Sequence, residues 1–206
     1  SEEPDRLKGL DLDQVAKAAG YNPMLMRWGV AQLEEAMRAQ DVFDKIARGK
    51  GEAPERIFNQ SFDYLGEDGQ TALLALALFR PTASREALAA VCGFEDDRDR
   101  MNEAIRMLAA FDLLDTAVDH DRLGIVALTR RLTEAQLRKD ERIEALKERF
   151  VAHFLAYAEA LSKVTKEHMD ALLYDERENL PVAIEYAWAA EDWESFMRLD
   201  IAIARH

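Results

Sequence analysis

The sequence predicts a mainly α-helical protein whose extended structure is confined to one small β-hairpin. Apolar residues recur at spacings of three and four along most of the chain, the period of a helix with one buried face. Five prolines and nine glycines in 206 residues leave few breaks, which favours long helices joined by short turns. Apolar residues make up 49% and charged residues 33%, a balance that lets a chain of this length bury a core.

From the N-terminus, "DLDQVAKAA" (residues 11–19) reads as a short helix ended by Gly20. A second helix starts at Pro23, whose missing N–H would be unpaired in a first turn, and Asn22 before it is a good cap. It runs to about Ala39, with Met26, Val30, Leu33 and Met37 as its apolar stripe and Met24, Trp28 and Ala31 widening it. Gly29 inside this helix costs roughly 1 kcal/mol against alanine, which suggests a close approach to its backbone. A short helix follows at "DVFDKIAR", and "GKGEAP" (49–54) is the clearest linker.

Beyond the linker, "ERIFNQSFDYL" puts Ile57, Phe58, Phe62 and Leu65 on one side, and "EDGQTALLALALF" is apolar nearly all round, the mark of a central helix. "TASREALAAVCG" has Ser84 as cap and Gly93 as stop. The next helix, "DDRDRMNEAIRMLAAFDLL", turns Met101, Ile105, Leu108 and Leu114 inward. Two β-like runs, "LLDTAV" and "LGIVAL", flank "DHDR" and read as a hairpin. Three helices and a two-stranded wing are the order of a winged-helix domain. After Thr133, Ile143, Leu146, Phe150, Phe154, Tyr157 and Leu161 form one stripe, with Val151, Leu155 and Ala158 as a second. A helix apolar on two faces wants neighbours on both, as in stacked repeats. The last segment reads as helix, turn at "AEDW", helix, and its end in the periodic "IAIARH" suggests a piece of a longer protein. Three parts result: a helical subdomain (1–50), a winged-helix domain (54–133) and a TPR-like helical region (138–206).

A net charge of −13 disfavours wholesale binding to nucleic acid or anionic membrane. The helix in the DNA-reading position carries acids at 95, 96, 97, 99 and 103 against arginines at 98, 100 and 106. The single cysteine, Cys92, sits in an apolar stretch, which fits a buried thiol and a reducing, cytoplasmic compartment. The longest apolar run, residues 72–79, is too short to span a bilayer. Gly49-Lys50 does not complete a P-loop, because Asp44 and Gly51 stand at its two ends. Histidines at 120, 153, 168 and 206 have no metal-ligand spacing, His153 reads as a packed residue and His120 as a solvated turn residue, so neither a catalytic centre nor a metal site is expected.

Taken together, "GYNPMLMRWGVAQLE", "FNQSFDYLGEDGQTALLALALFRPTASREALAAVCGF" and "DERENLPVAIEYAWAAEDWESFMRLD" resemble, in order, a GxP-type helix start, a winged-helix opening and the beginning of a repeat region. That order is similar to the C-terminal part of STAND-class, NB-ARC-like signalling NTPases. The resemblance implies a signal-transduction role in which an upstream nucleotide-binding domain holds ADP or ATP with Mg, and in which the repeats engage a protein partner. It implies that Pro23 lies on the adenine side of the nucleotide, with Asn22 and Met24 beside it. Tyr21 stands where the family motif has glycine, and Val126 where many relatives carry a phosphate-sensing histidine; Arg130 and Arg131 are alternative phosphate contacts or solvent-facing residues. Two other functions fit the same elements, a winged-helix transcription regulator and a protein-binding helical scaffold. For the latter, Trp188, Trp193, Phe196 and Met197 would supply a surface, although their helical spacing favours the core.

Overall fold

A computed structural model of the chain describes residues 16–17, 19–35, 52–115, 122–161 and 172–204. Within them the protein is mainly helical, with one two-stranded antiparallel sheet. The helix expected at 41–48, residues 49–51 of the linker, the turn expected before Arg122, and His120, His168 and His206 lie outside the described residues.

Helix α1 (Pro23–Glu35) packs against α2 (Ala53–Tyr64), which has Pro54 in its first turn. Its buried face is formed by Leu25, Trp28, Ala31 and Gln32. The stripe expected from the sequence was rotated from this one: Met26 and Val30 lie half-buried on its flank. Two polar groups set the true face. The Trp28 indole N–H donates to Asp112 O at 3.0 Å, and the Gln32 amide donates to Ile57 O (2.9 Å) and Ser61 Oγ (2.6 Å). Gly29 is itself buried.

Ile57, Phe58, Phe62 and Leu65 close α2 onto the core, as their spacing predicts. Helix α3 (Gly66–Leu76) is surrounded by α2, α4 (Arg85–Cys92), α5 (Arg98–Ala110) and α6 (Ala127–Leu137), and every residue from Thr71 to Phe79 is buried. The Ser84 hydroxyl accepts from Ala87 N–H at 3.0 Å, capping α4. Gly93 ends it with φ +76°, the left-handed conformation that glycine adopts without a Cβ clash. Asp97 caps α5, which turns Met101, Ala104 and Leu108 inward but stops at Phe111. Leu114 is therefore beyond the helix and only half-buried, as is Ile105.

The described sheet is a pairing other than the expected hairpin, whose turn lies outside the described residues. Strand β2 (Arg122–Gly124) pairs with β1 (Thr82–Ser84), with Ala83 opposite Leu123. The first β-like run is described only as far as Asp115, whose N–H donates to Gly124 O at 2.8 Å. Ala127 and Leu128, assigned to the second run from their apolar character, begin α6 instead.

Helix α7 (Ile143–Leu161) buries Leu146, Phe150, Phe154, Ala158 and Leu161 on one stripe and Val151 on the other, packing against α4, α8 (Asn179–Ala189) and α9 (Trp193–Ala204). Phe79, at the end of the α3 segment, meets Phe150 edge-on at 4.9 Å, and Phe150 meets Tyr186 of α8 at 5.5 Å. Such edge contacts add about 0.5–1.5 kcal/mol each beyond the area they bury. The turn at "AEDW" joins α8 to α9 as expected, with Glu191 at φ +57°.

Candidate functional site

The start of α1 is built by two successive residues in left-handed backbone. Gly20 N–H donates to Lys17 O (3.0 Å) and Tyr21 N–H to Ala16 O (2.8 Å), the pair of bonds that closes a helix C-terminus. Gly20 and Tyr21 both have φ +57°. For tyrosine that conformation costs about 1–2 kcal/mol. Asn22 then reverses the chain: its Oδ1 accepts from Met24 N–H at 3.0 Å and Leu25 N–H at 3.4 Å. Pro23 occupies the first helical position and is exposed, Met24 is half-buried against the core, and the Tyr21 ring is 63% exposed.

Of these residues, Pro23 borders an open groove of about 550 Å³ between α1 and the end of α5, lined also by Met26, Val30, Ala109 and Asp112. Asp112 fixes the two walls, taking the Trp28 indole hydrogen bond on its carbonyl and the Arg27 guanidinium on its carboxylate. The groove thus carries an apolar face of Pro23, Met26 and Val30 beside the Arg27–Asp112 pair. The oxygen of Asn22 is occupied by the cap, so that side chain positions the turn. Asn22, Pro23 and Met24 are contiguous here, as their order in the chain requires.

Arg130 has a different role from either one expected for it. Its guanidinium donates to Ala77 O (3.2 Å), Phe79 O (2.8 Å) and Pro81 O (2.9 Å), gathering the carbonyls of the segment that leads from α3 to β1. Burial there lowers its pKa. Arg131 is exposed, and Val126 is the residue preceding α6, with no side-chain cap bond. In α5, Arg100 is held by Asp68 (2.5 Å) and Arg106 by Glu103 (2.7 Å). Cys92 is buried and its thiol is pushed up to about 12, chiefly by desolvation. His153 is half-buried beside Phe154 and Tyr157, and desolvation lowers its pKa.

One polar cluster was not anticipated. Glu176, 4% exposed, takes Arg122 Nη1 on one oxygen at 2.8 Å and Asn179 Nδ2 on the other at 2.7 Å. Asn179 Nδ2 also donates to Thr82 O at 3.0 Å, and Asn179 Oδ1 accepts from Arg80 N–H at 2.6 Å. Arg122 Nε reaches Thr82 Oγ1 at 2.8 Å. Three of these bonds, Arg122–Glu176, Asn179–Thr82 and Arg80–Asn179, tie the sheet and the segment before it to the start of α8. The spacing of Glu176 and Asn179, three residues apart, was the sequence signal for this lock.

The aromatic residues of the α8–α9 turn were expected in the core, and the structure places them outside it. Trp188, Trp193 and Met197 are 57%, 50% and 51% exposed, with Phe196 half-buried beneath them. Among the described residues, no group of three or more His, Cys, Asp or Glu is placed to hold a metal ion, and no helix is long and apolar enough to cross a membrane. Comparison of the chain with protein-family models, curated protein sequences and solved structures finds no match.

Proposed function

We propose that this chain is the regulatory part of a STAND-class, NB-ARC-like signal-transduction NTPase of the cytoplasm, coupling nucleotide state to partner sensing by its helical region. The observation that carries this reading is the left-handed backbone at Tyr21, the position at which the family motif has glycine. A tyrosine bears strain there, yet the turn into a capped, proline-led helix is kept. Pro23 and the apolar part of Met24 then offer the adenine side of a nucleotide a surface, with Asn22 holding the turn.

The order α2–α3–β1–α4–α5–β2 supports a winged-helix reading of residues 54–133, and the packing of α7, α8 and α9 on one another supports a TPR-like reading of 138–206. The phosphates and Mg of ADP or ATP fall to an upstream P-loop domain, and hydrolysis, where it occurs, belongs to that domain. Val126 supplies no polar group to phosphate, and Arg130 is committed to the end of α3. In this protein the lid turn therefore carries the nucleotide contact without a wing residue. Against a DNA-reading role stand the acidic start of α5 and the pairing of Arg100 and Arg106 with carboxylates.

The test begins with the coding sequence upstream of Ser1, read for a strand–GxxxxGK[ST]–helix unit. Its absence overturns the proposal. In the protein that carries it, Pro23→Ala is expected to weaken ADP binding about tenfold, read by calorimetry, while leaving the thermal midpoint within a few degrees. Unchanged ADP affinity removes Pro23 from the site.

A further inference from the structure

Helix α9 has two apolar faces, and the fold uses one of them. Leu199 points inward and is fully buried, with Phe196 and Ile203 packed beside it against the core. At spacings of four, Trp193, Met197 and Ile201 form a second stripe on the opposite side, 50%, 51% and 44% exposed. Trp188 of α8 extends it, its ring 5.0 Å from that of Trp193 in an edge-to-face pair. Large apolar side chains scattered singly on a surface are ordinary, but a contiguous stripe of this kind marks an interaction site. Tryptophan and methionine are also enriched at the centres of such sites.

The rim says what covers it. At a helical advance of about 100° per residue, Asp200 lies on one flank of the stripe and Glu194 on the other. Glu191 and Asp192, both exposed, stand at its N-terminal end. Among the described residues of α9 the cation is Arg198, and it is held by carboxylates: Glu159 takes two of its nitrogens and Glu194 lies 3.3 Å from a third. An apolar stripe with acids along its edges complements an amphipathic helix whose own apolar stripe is bordered by Lys and Arg. It repels a second copy of itself, since two such faces would bring acid against acid. The half-exposed indoles add a further preference for cations.

We infer that the outer face of α9, extended by Trp188, is a docking surface for a basic amphipathic helix of a partner protein. This surface stands on the geometry of α8 and α9 alone and does not depend on the nucleotide-linked function above.

The experiment titrates the protein with two synthetic helical peptides sharing one Leu/Ala stripe, flanked by Lys in the first and Glu in the second. Binding is read by calorimetry and by the blue shift of indole fluorescence. The Lys-flanked peptide is expected to bind at least about tenfold more tightly than the Glu-flanked one. Met197→Glu should weaken it by at least as much, Asp200→Lys should narrow the preference between peptides, and Glu86→Lys on α4 should leave it unchanged. All are exposed positions, and helical circular dichroism checks the fold of each variant. Equal binding of both peptides, or Lys-peptide binding indifferent to Met197→Glu, overturns the inference and leaves general attraction to an acidic protein. Sedimentation that shows a dimer broken by Met197→Glu also overturns it, assigning the face to a second copy.

Discussion

Helices α3 and α9 are both short and both rich in apolar residues, yet α3 is buried on every side from Thr71 onward and α9 buries fully only Leu199. The difference lies in their neighbours. Four helices enclose α3, whereas α9 rests on α7 and α8 among the described elements. Side-chain type also divides them: the buried half of α3 is Ala and Leu apart from Thr71, compact enough for close approach all round, whereas α9 carries Trp, Met and Ile on a face that stays about half exposed. Burial is a property of the surroundings that a helix is given, and apolar content alone does not decide it.

The largest effect that would sharpen this comparison comes from truncation in each helix. Leu74→Ala, at 0% exposure in α3, is expected to destabilise by about 3 kcal/mol, while Met197→Ala on α9 stays within about 0.5 kcal/mol. Urea denaturation midpoints read both, and comparable losses at the two sites would erase the distinction. Next comes the polar lock between the sheet and α8. Glu176→Ala leaves the partly buried Arg122 and the buried Asn179 without their shared acceptor, a loss of about 3 kcal/mol by the same measurement. If that variant keeps full stability, α8 and α9 are held by their aromatic contacts instead. The smallest effect concerns the turn into α9. Glu191 has φ +57°, so Glu191→Gly should raise stability by about 1 kcal/mol, a rise in thermal midpoint of a few degrees. A fall would mean that the Glu191 side chain contributes more than its backbone costs.

Much of the fold was legible because local chemistry encodes it. Ser84 caps, Gly93 stops, and the all-round apolar pattern of residues 72–79 marks the centre. What escaped was non-local. The rotation of α1 is set by hydrogen bonds from Trp28 and Gln32 to residues far along the chain, and a hydrophobic period cannot register a buried glutamine. The partner of β2 is Thr82–Ser84, about forty residues earlier, and strand patterning names no partner. At the candidate site, the cap by Asn22 and the lead position of Pro23 were readable from residue type. The left-handed tyrosine was not, since tyrosine is an improbable occupant of that backbone conformation. Arg130 drew attention as a charge, and only the carbonyls assembled around it disclose its task.

The bond from Arg80 N–H to the Asn179 side chain joins residues 99 apart in the chain. Bringing together the ends of a loop that long costs roughly 4 kcal/mol in chain entropy, recovered only when both halves are folded and docked. No helix or ladder holds that amide hydrogen; a carboxamide from the far end of the chain does. Its exchange with solvent deuterium is therefore a clock for one event, the departure of α8 from the sheet, and it runs separately from the exchange of the helical amides on either side.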